Sequence, residues 1–380
     1  MGDRSSQNLT DADERFMRRA LALAARGEGL TAPNPMVGCV LARDGEIVAE
    51  GWHKGAGTPH AEAEALRDAG DGARGATAYV TLEPCNHWGR TGPCAEALIE
   101  AGVAEVIYAM ADPNAEAAGG AATLRAAGVA ARGGLCEPEA AALNRGWLHR
   151  LRAGRPYVFA KFAASLDGKI ATHAGHSQWI TGPAARARGH DLRAGVDGVI
   201  VGANTVIADD PALTARPSGR ETRRPLRIVL DSAARTPPGA QVYDRAGAGA
   251  LLAVTDATPR ARLDGFRGLG VDILTLPKDA HGRPDAEALL QALGARGLNA
   301  VMIEGGGAVL GAFFDAGLID EVWAFIAPVV IGGAGKTPVG GVGAARLDEA
   351  FRLDAVEIEQ LGPDMLMRGR IARPTTREAC

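Results

Sequence analysis

The chain has 380 residues and a formal net charge of −4; 47% of them are hydrophobic, 23% charged and only 4% aromatic. That length suggests about two domains, and that charge excludes a large nucleic-acid footprint. Five cysteines scattered over so long a chain exclude a disulfide framework, and no stretch approaches the roughly 20 apolar residues of a membrane span. The start, MGDRSSQNLTDADERF, has no apolar run behind its charges, so no signal peptide is expected and the chain is assigned to the cytoplasm, where thiols stay reduced. ERFMRRALALAARG has the spacing of an amphipathic helix behind the acidic cap region DADE. MVGCVLARDGEIVAEGW is two apolar runs around RDG, a hairpin signal. HAEAEALRDAG reads as a short helix closed by Gly70, and ATAYVTLEP as a strand stopped by Pro84. PCAEALIEAGV is a helix, AEVIYAM the next strand, and EPEAAALNRGWLHRLRAG one closing helix ended at Gly154.

RAGRPYV is the expected joint, which places a first α/β domain at 12–152 and a second at 156–372. In the second, YVFAKFAASLDG, DGVIVGANTVIA, RPLRIVLDS, GALLAVT and NAVMIEGGG are strand-like. DAEALLQALGARG and AVLGAFFDAGL are helix-like; EVWAFIAPVVIGG and AVEIEQLGPDMLMRGRI add late strands, and SGRETRRPLR reads as an exposed loop. The run VMIEGGGAVLGAFF is strand, glycine loop, helix, an arrangement that brings backbone N–H groups to a diphosphate. It is not G-x-G-x-x-G, so a Rossmann dinucleotide site is disfavoured.

His60, Cys85 and Cys94 are three ligands that suit zinc, and three protein ligands leave a fourth position for water, the catalytic arrangement. Glu62 lies two residues beyond His60, so on a helix start it points away from that ligand and is placed to move a proton of the water. Such a site performs hydrolytic deamination of an amino-bearing ring carbon. The histidine-x-glutamate and proline-cysteine pair, here PHAE and LEPCNHWGRTGPC, is the signature of zinc-dependent nucleobase deaminases. In the usual pattern two residues separate the cysteines; here eight do. A structural zinc site or a redox pair is the alternative for the same cysteines. Cys136 and Cys380 read as a buried small residue and a tail thiol.

TLEPCNHWGRTGPC, with PNPMVGCV before it and HAEAEALRDAG between, resembles the deaminase half of the bifunctional riboflavin-biosynthesis deaminase-reductases. KFAASLDGKIAT, SQWITG, GANTVIADDPALTAR, RIVLDS and EGGGAVLGAFF resemble the reductase half, in the same order. The resemblance runs from about residue 14 to 370. It implies a cytidine-deaminase-like α/β/α domain followed by a dihydrofolate-reductase-like α/β domain. It implies zinc-dependent deamination of 2,5-diamino-6-(5-phosphoribosylamino)pyrimidin-4-one, then NADPH-dependent reduction of the product's ribosyl group to ribityl.

Residue by residue, the resemblance implies that His60, Cys85 and Cys94 hold Zn2+ and that Glu62 shuttles the proton. Asn34 matches a residue that reads the pyrimidine, with His53 near the same pocket and His87 and Arg90 offered to the substrate's phosphate. Ala164, Trp179, Thr205, Asp209, Ser232, Gly305, Gly306 and Gly307 line the NADPH site. Ser177, Arg193, Leu213, Arg216 and Glu304 contact the reductase substrate, while Lys161 and Asp167 have roles the pattern does not separate. A homodimer or higher homo-oligomer is expected, with no nucleic-acid or membrane partner. Two competing functions remain at this point: a deaminase acting on a nucleoside or a tRNA adenine, and a scaffold whose cysteines are structural or redox-active. The acidic balance and the lack of basic stripes oppose the tRNA substrate.

Overall fold

The computed structural model describes residues 9–88, 92–217, 224–244 and 249–372. The chain divides between Ala153 and Gly154 into two units, each with its own sheet. In the first unit Thr10 caps helix α1 (Asp11–Ala24) through a reciprocal capping box with Asp13, so the acidic residues form the first turn rather than the cap. Strands β1 (Gly38–Arg43) and β2 (Glu46–Trp52) form the expected hairpin. Its turn places Asp44 and Gly45 both at positive φ, the conformation that matches strand twist. Helix α2 (Ala61–Ala69) ends at Gly70, which sits at φ +50°. It is followed by β3 (Thr77–Val80), α3 (Cys94–Glu100), β4 (Glu105–Tyr108), α4 (Gly120–Ala126) and β5 (Ala130–Gly133). The sheet order is β2-β1-β3-β4-β5, with β1 antiparallel to both neighbours and β3, β4 and β5 parallel.

Two departures stand out in this unit. Helix α4 and strand β5 have no counterpart in the sequence reading, and the closing helix is two helices. These are α5 (Glu137–Leu143) and α6 (Arg145–Ala153), broken at Asn144. Phe16, Met17, Trp147 and Leu148 from α1 and α6 pack on one face of the sheet. Ala61, Ala65, Leu98 and Leu124 from α2, α3 and α4 pack on the other, which makes an α/β/α sandwich.

The second unit begins with β6 (Tyr157–Ser165) and α7 (Pro183–Ala194). The stretch DGVIVGANTVIA is not one strand: β7 (Gly198–Gly202) stops at the glycine and α8 (Ala203–Asp209) follows. Val206 is buried against that helix's own side of the sheet, and this packing overrides the β-branched propensity. Next come β8 (Leu226–Leu230), β9 (Ala250–Thr255), α9 (Arg260–Gly268), β10 (Asp272–Leu276), α10 (Ala286–Ala295), β11 (Ala300–Ile303) and α11 (Gly307–Asp315). Strands β12 (Glu321–Ala327), β13 (Leu353–Leu361) and β14 (Asp364–Ile371) close the unit. The order is β10-β9-β8-β7-β11-β6-β12-β14-β13, parallel as far as β12 and antiparallel beyond it. Leu192, Val206 and Phe266 cover one face and Leu290, Leu310 and Phe313 the other. The expected loop SGRETRRPLR lies largely outside the described residues. Among the described residues no helix is long and apolar enough to cross a membrane.

Candidate active sites

The first site grows from three chain ends that meet above β3. His60 is the N-cap residue of α2, so Glu62 falls in that helix's first turn. Cys85 follows the strand β3, and Cys94 opens α3. Gly120 lets α4 approach this turn: a Cβ there would lie 1.8 Å from the Pro84 carbonyl oxygen. Glu83 braces the same turn, accepting from the Asp112 and Ala121 backbone N–H groups.

The result is compact. One ligand atom from each of His60, Cys85 and Cys94 lies within 4.8 Å of the others. His60 Nδ1 is 3.3 Å from Cys94 Sγ and 3.5 Å from Cys85 Sγ. Nδ1 is therefore the ring nitrogen offered to an ion. A borderline imidazole and two sulfurs converging in this way fit zinc. Glu62, only 4% exposed, is not among the three ligands. Burial pushes its carboxyl up to about 7, against the pull of His60. Hydrogen bonding from Cys94 and His60 holds the Cys85 thiol low, while the same bond and burial push Cys94 up.

A cavity of about 510 Å³ opens beside these groups. Asn34, His53, His60, Glu62, Cys85 and His87 all line it, so the structure brings together the described residues expected for the first site. Arg90 lies outside the described residues. Sequence reasoning missed Glu83, Asp112, Asn114, Trp147 and Arg150, which also line the cavity. The ADPN run carried a signal for two of them: Asp112 Oδ1 accepts from the Asn114 N–H in a side-chain-closed turn.

In the second unit, the glycine loop lies between β11 and α11, at the carboxyl end of a parallel strand. This is where open α/β sheets take ligands. A Cβ on Gly305 would press on Val201, Gly202 and Thr205, and one on Gly307 would lie 2.7 Å from the Thr337 carbonyl oxygen. Gly305 and Gly306 thus pack on Thr205 and Gly307 on the backbone at Thr337 and Gly340; a glycine loop held this way at a helix start is a cradle that suits the phosphates of a dinucleotide. Ala164 is buried near the end of β6, Asp209 is exposed at the end of α8, and Ser232 follows β8 with its carbonyl accepting from Thr255 and Thr258. Trp179 is 70% exposed, with Arg186 over its ring, and is no core residue.

Glu304 begins the glycine loop and is gripped by Arg193, with Lys161 Nζ 3.6 Å away. Arg193 also donates to the Thr214 carbonyl. His190 lies between Arg193 and Arg216, 3.3 Å from the first and 3.2 Å from the second. Leu213 is buried at φ +50°, and Ser177 is half-buried. The structure therefore joins Arg193, Glu304, Lys161 and Arg216 into one network through His190, a residue sequence reasoning missed. Asp167 stands apart from it: its carboxylate accepts from Ser165 Oγ and from the Ile331 and Gly332 N–H groups.

The family model of the RibD C-terminal domain matches residues 156–367. That of the cytidine and deoxycytidylate deaminase zinc-binding region matches residues 10–110. The riboflavin biosynthesis protein RibD of Actinobacillus pleuropneumoniae is 43% identical over 365 residues, covering 96% of this chain and 96% of its own. The chain belongs to the RibD family. RibD of Escherichia coli (strain K12) is likewise 43% identical, covering 93% of this chain and 98% of its own. The solved structure of Acinetobacter baumannii RibD superposes with a TM-score of 0.86 at 38% identity, over 95% of this chain and 99% of that one. A diaminohydroxyphosphoribosylaminopyrimidine deaminase/5-amino-6-(5-phosphoribosylamino)uracil reductase from Thermotoga maritima has a TM-score of 0.83 at 33% identity, over the same shares. Like other RibD proteins, the chain is a bifunctional deaminase and reductase of riboflavin biosynthesis, and its cofactors are zinc and NADPH.

Proposed function

We propose that the two sites act in series on one phosphoribosyl pyrimidine, and that the residues gathered above divide the work. In the first domain, 12–152, His60 Nδ1 and the sulfurs of Cys85 and Cys94 hold the zinc. Bound there, zinc supplies a Lewis acid that activates water for attack on the amino-bearing ring carbon. Glu62 takes a proton from that water and returns it to the departing nitrogen, which leaves as ammonia. Asn34 and His53 orient the ring, and His87 and Arg90 are assigned to binding the substrate's phosphate. The convergence of three ligand atoms within 4.8 Å, with buried Glu62 on the same cavity wall, is the observation that carries this reading.

In the second domain, 156–372, Gly305 to Gly307, Thr205, Ala164, Trp179, Asp209 and Ser232 line the NADPH site. NADPH supplies the hydride that turns ribosyl into ribityl. Arg193, Arg216, Glu304, Ser177 and Leu213 bind and orient the sugar phosphate: exposed Arg216 meets the anion through its planar fork, while Arg193, whose fork is taken by Glu304, acts through that carboxylate. Lys161 steadies Glu304, and Asp167 secures the loop at Ile331.

The chain works as a homo-oligomer in the cytoplasm, where Cys85 and Cys94 stay reduced. An apolar row supports self-association. Ile326 pairs with Met365 and Ala324 with Met367, and Met367 pairs in turn with Ile358, so all share a face of the sheet. Cover thins outward along that row: Ala324 is 9% exposed and Ile358 is 62%. An open apolar face of this kind suits a second copy.

NADPH oxidation by the zinc-loaded protein, given the diamino phosphoribosyl pyrimidine, tests the serial reading. Oxidation that needs this substrate and stops with a zinc chelator supports both sites. Ammonia release without oxidation would restrict activity to the first domain.

A further inference from the structure

The break between α5 and α6 places side chains on one short loop of the deaminase cavity. Asn144, at the break, holds both polar atoms of the Met36 backbone. Its Oδ1 accepts from Met36 N–H at 2.7 Å, and its Nδ2 donates to Met36 O at 2.9 Å. Two turns further on, Arg150 Nη2 donates to Pro33 O at 2.9 Å. Trp147 and Leu151, from the same helix, line the cavity. The last helices of the unit thus hold both ends of Pro33–Met36, and Asn34 lies between the two anchors.

Asn34 is also set from the other side. His53 Nδ1 lies 3.1 Å from the Pro59 carbonyl oxygen, which only accepts, so Nδ1 carries the ring proton. His53 Nε2 then accepts from Asn34 Nδ2 at 3.1 Å. The amide is therefore oriented, with its nitrogen on His53 and its Oδ1 on the opposite side. Its orientation depends on where the backbone of Pro33 and Asn34 is held.

We infer that Arg150 is a positioning residue for deamination, acting through Pro33 on the amide of Asn34. Asn144 anchors the other end of the same loop. Both lie beyond residue 110, where the match to the zinc-binding region ends. The inference rests on the proposed role of Asn34 in orienting the pyrimidine.

The test uses the full-length, zinc-loaded protein with Arg150→Met and Arg150→Lys. Ammonia release gives KM and kcat, zinc content reports the metal site, and reduction of pre-deaminated substrate reports the second unit. Arg150→Met is expected to raise the deamination KM about tenfold, the scale of one hydrogen bond from a charged group, with a smaller change in kcat. Zinc content and reduction stay unchanged, and Arg150→Lys recovers most of the loss because one donor suffices for Pro33. In an Asn34→Ala background, Arg150→Met adds little, because the two act as a unit. An unchanged KM, a fully additive effect in that background, or loss of zinc from both variants would overturn the inference. Wild-type protein that releases no ammonia would instead sink the reading of the cavity itself.

Discussion

Glu304 and Arg193 meet fork to fork, Oε2 2.6 Å from Nη2 and Oε1 on Nε. Burial pushes the Glu304 carboxyl up, but Arg193 and then Lys161 outweigh it and hold it at about 2. The folded value lies below the ordinary glutamate value of about 4.3, so the pair's contribution is fully present above that pH and is lost as pH falls through the folded value. Glu304→Gln is expected to destabilise the second unit at neutral pH by a few kcal/mol, roughly the cost of leaving Arg193 buried without its partner. It also flattens the acid limb of the stability curve between those two pH values. Urea unfolding at a series of pH values measures both; an acid limb parallel to wild type would exonerate Glu304.

Glu62→Gln should keep its zinc, because Glu62 is not among the three converging ligand atoms. Deamination should fall by about a hundredfold to ten-thousandfold, the range of a lost general acid–base. Reduction of pre-deaminated substrate should continue. If both activities fell together, the assignment of one reaction to each unit would be wrong.

Arg216→Ala should raise the KM of reduction about tenfold while deamination is untouched, as expected for removal of one charge-assisted contact. Arg216 is exposed and, among the described residues, is tied to the network through His190, so stability should hardly change. Steady-state kinetics with pre-deaminated substrate decides this, and an unaltered KM removes Arg216 from the site.

Gly307→Ala adds a methyl group 2.7 Å from a backbone oxygen, which cannot swing aside as a side chain would. The cradle must shift, so the KM for NADPH should rise while ammonia release is unaffected. Normal NADPH affinity in this variant would place the cofactor elsewhere.

Ile358→Asp puts a charge on the apolar row at the outer strand. If that face meets a second copy, sedimentation should show a smaller species than wild type at equal concentration. A monomeric wild-type protein would end the proposal of a homo-oligomer.

The parts legible in the sequence were those whose cause is local. The Asp44–Gly45 turn, the glycine that ends α2 and the strand–loop–helix around Gly305 each depend on a few adjacent residues. The metal ligands were legible because few side chains bind zinc, although Cys85 and Cys94 meet only in the fold, where the Cys94 backbone N–H lies 3.4 Å from Cys85 Sγ. Helix α4 and strand β5 were not, because GGAATLRAAGVAARGG is built of alanine and glycine and shows neither period clearly. The break at Asn144 was invisible for a different reason: its partner, Met36, is 108 residues away. His190 and Arg150 carry no motif of their own, and Glu83, though inside LEPC, has no role there that the pattern names; their roles emerge only from what the fold places beside them.

The last helix of the first unit sets a lower limit on any working fragment. A chain cut at residue 110 would carry every zinc ligand yet lack one side of the cavity, since Trp147, Arg150 and Leu151 would be gone. A minimal deaminase must therefore extend to Ala153, the end of α6. Only residues 154–156 then separate it from Tyr157, the first residue of β6. Arg155 within that stretch already pairs with buried Asp320 of the second unit, so a separately coded reductase keeps this pair only if its chain begins before Arg155.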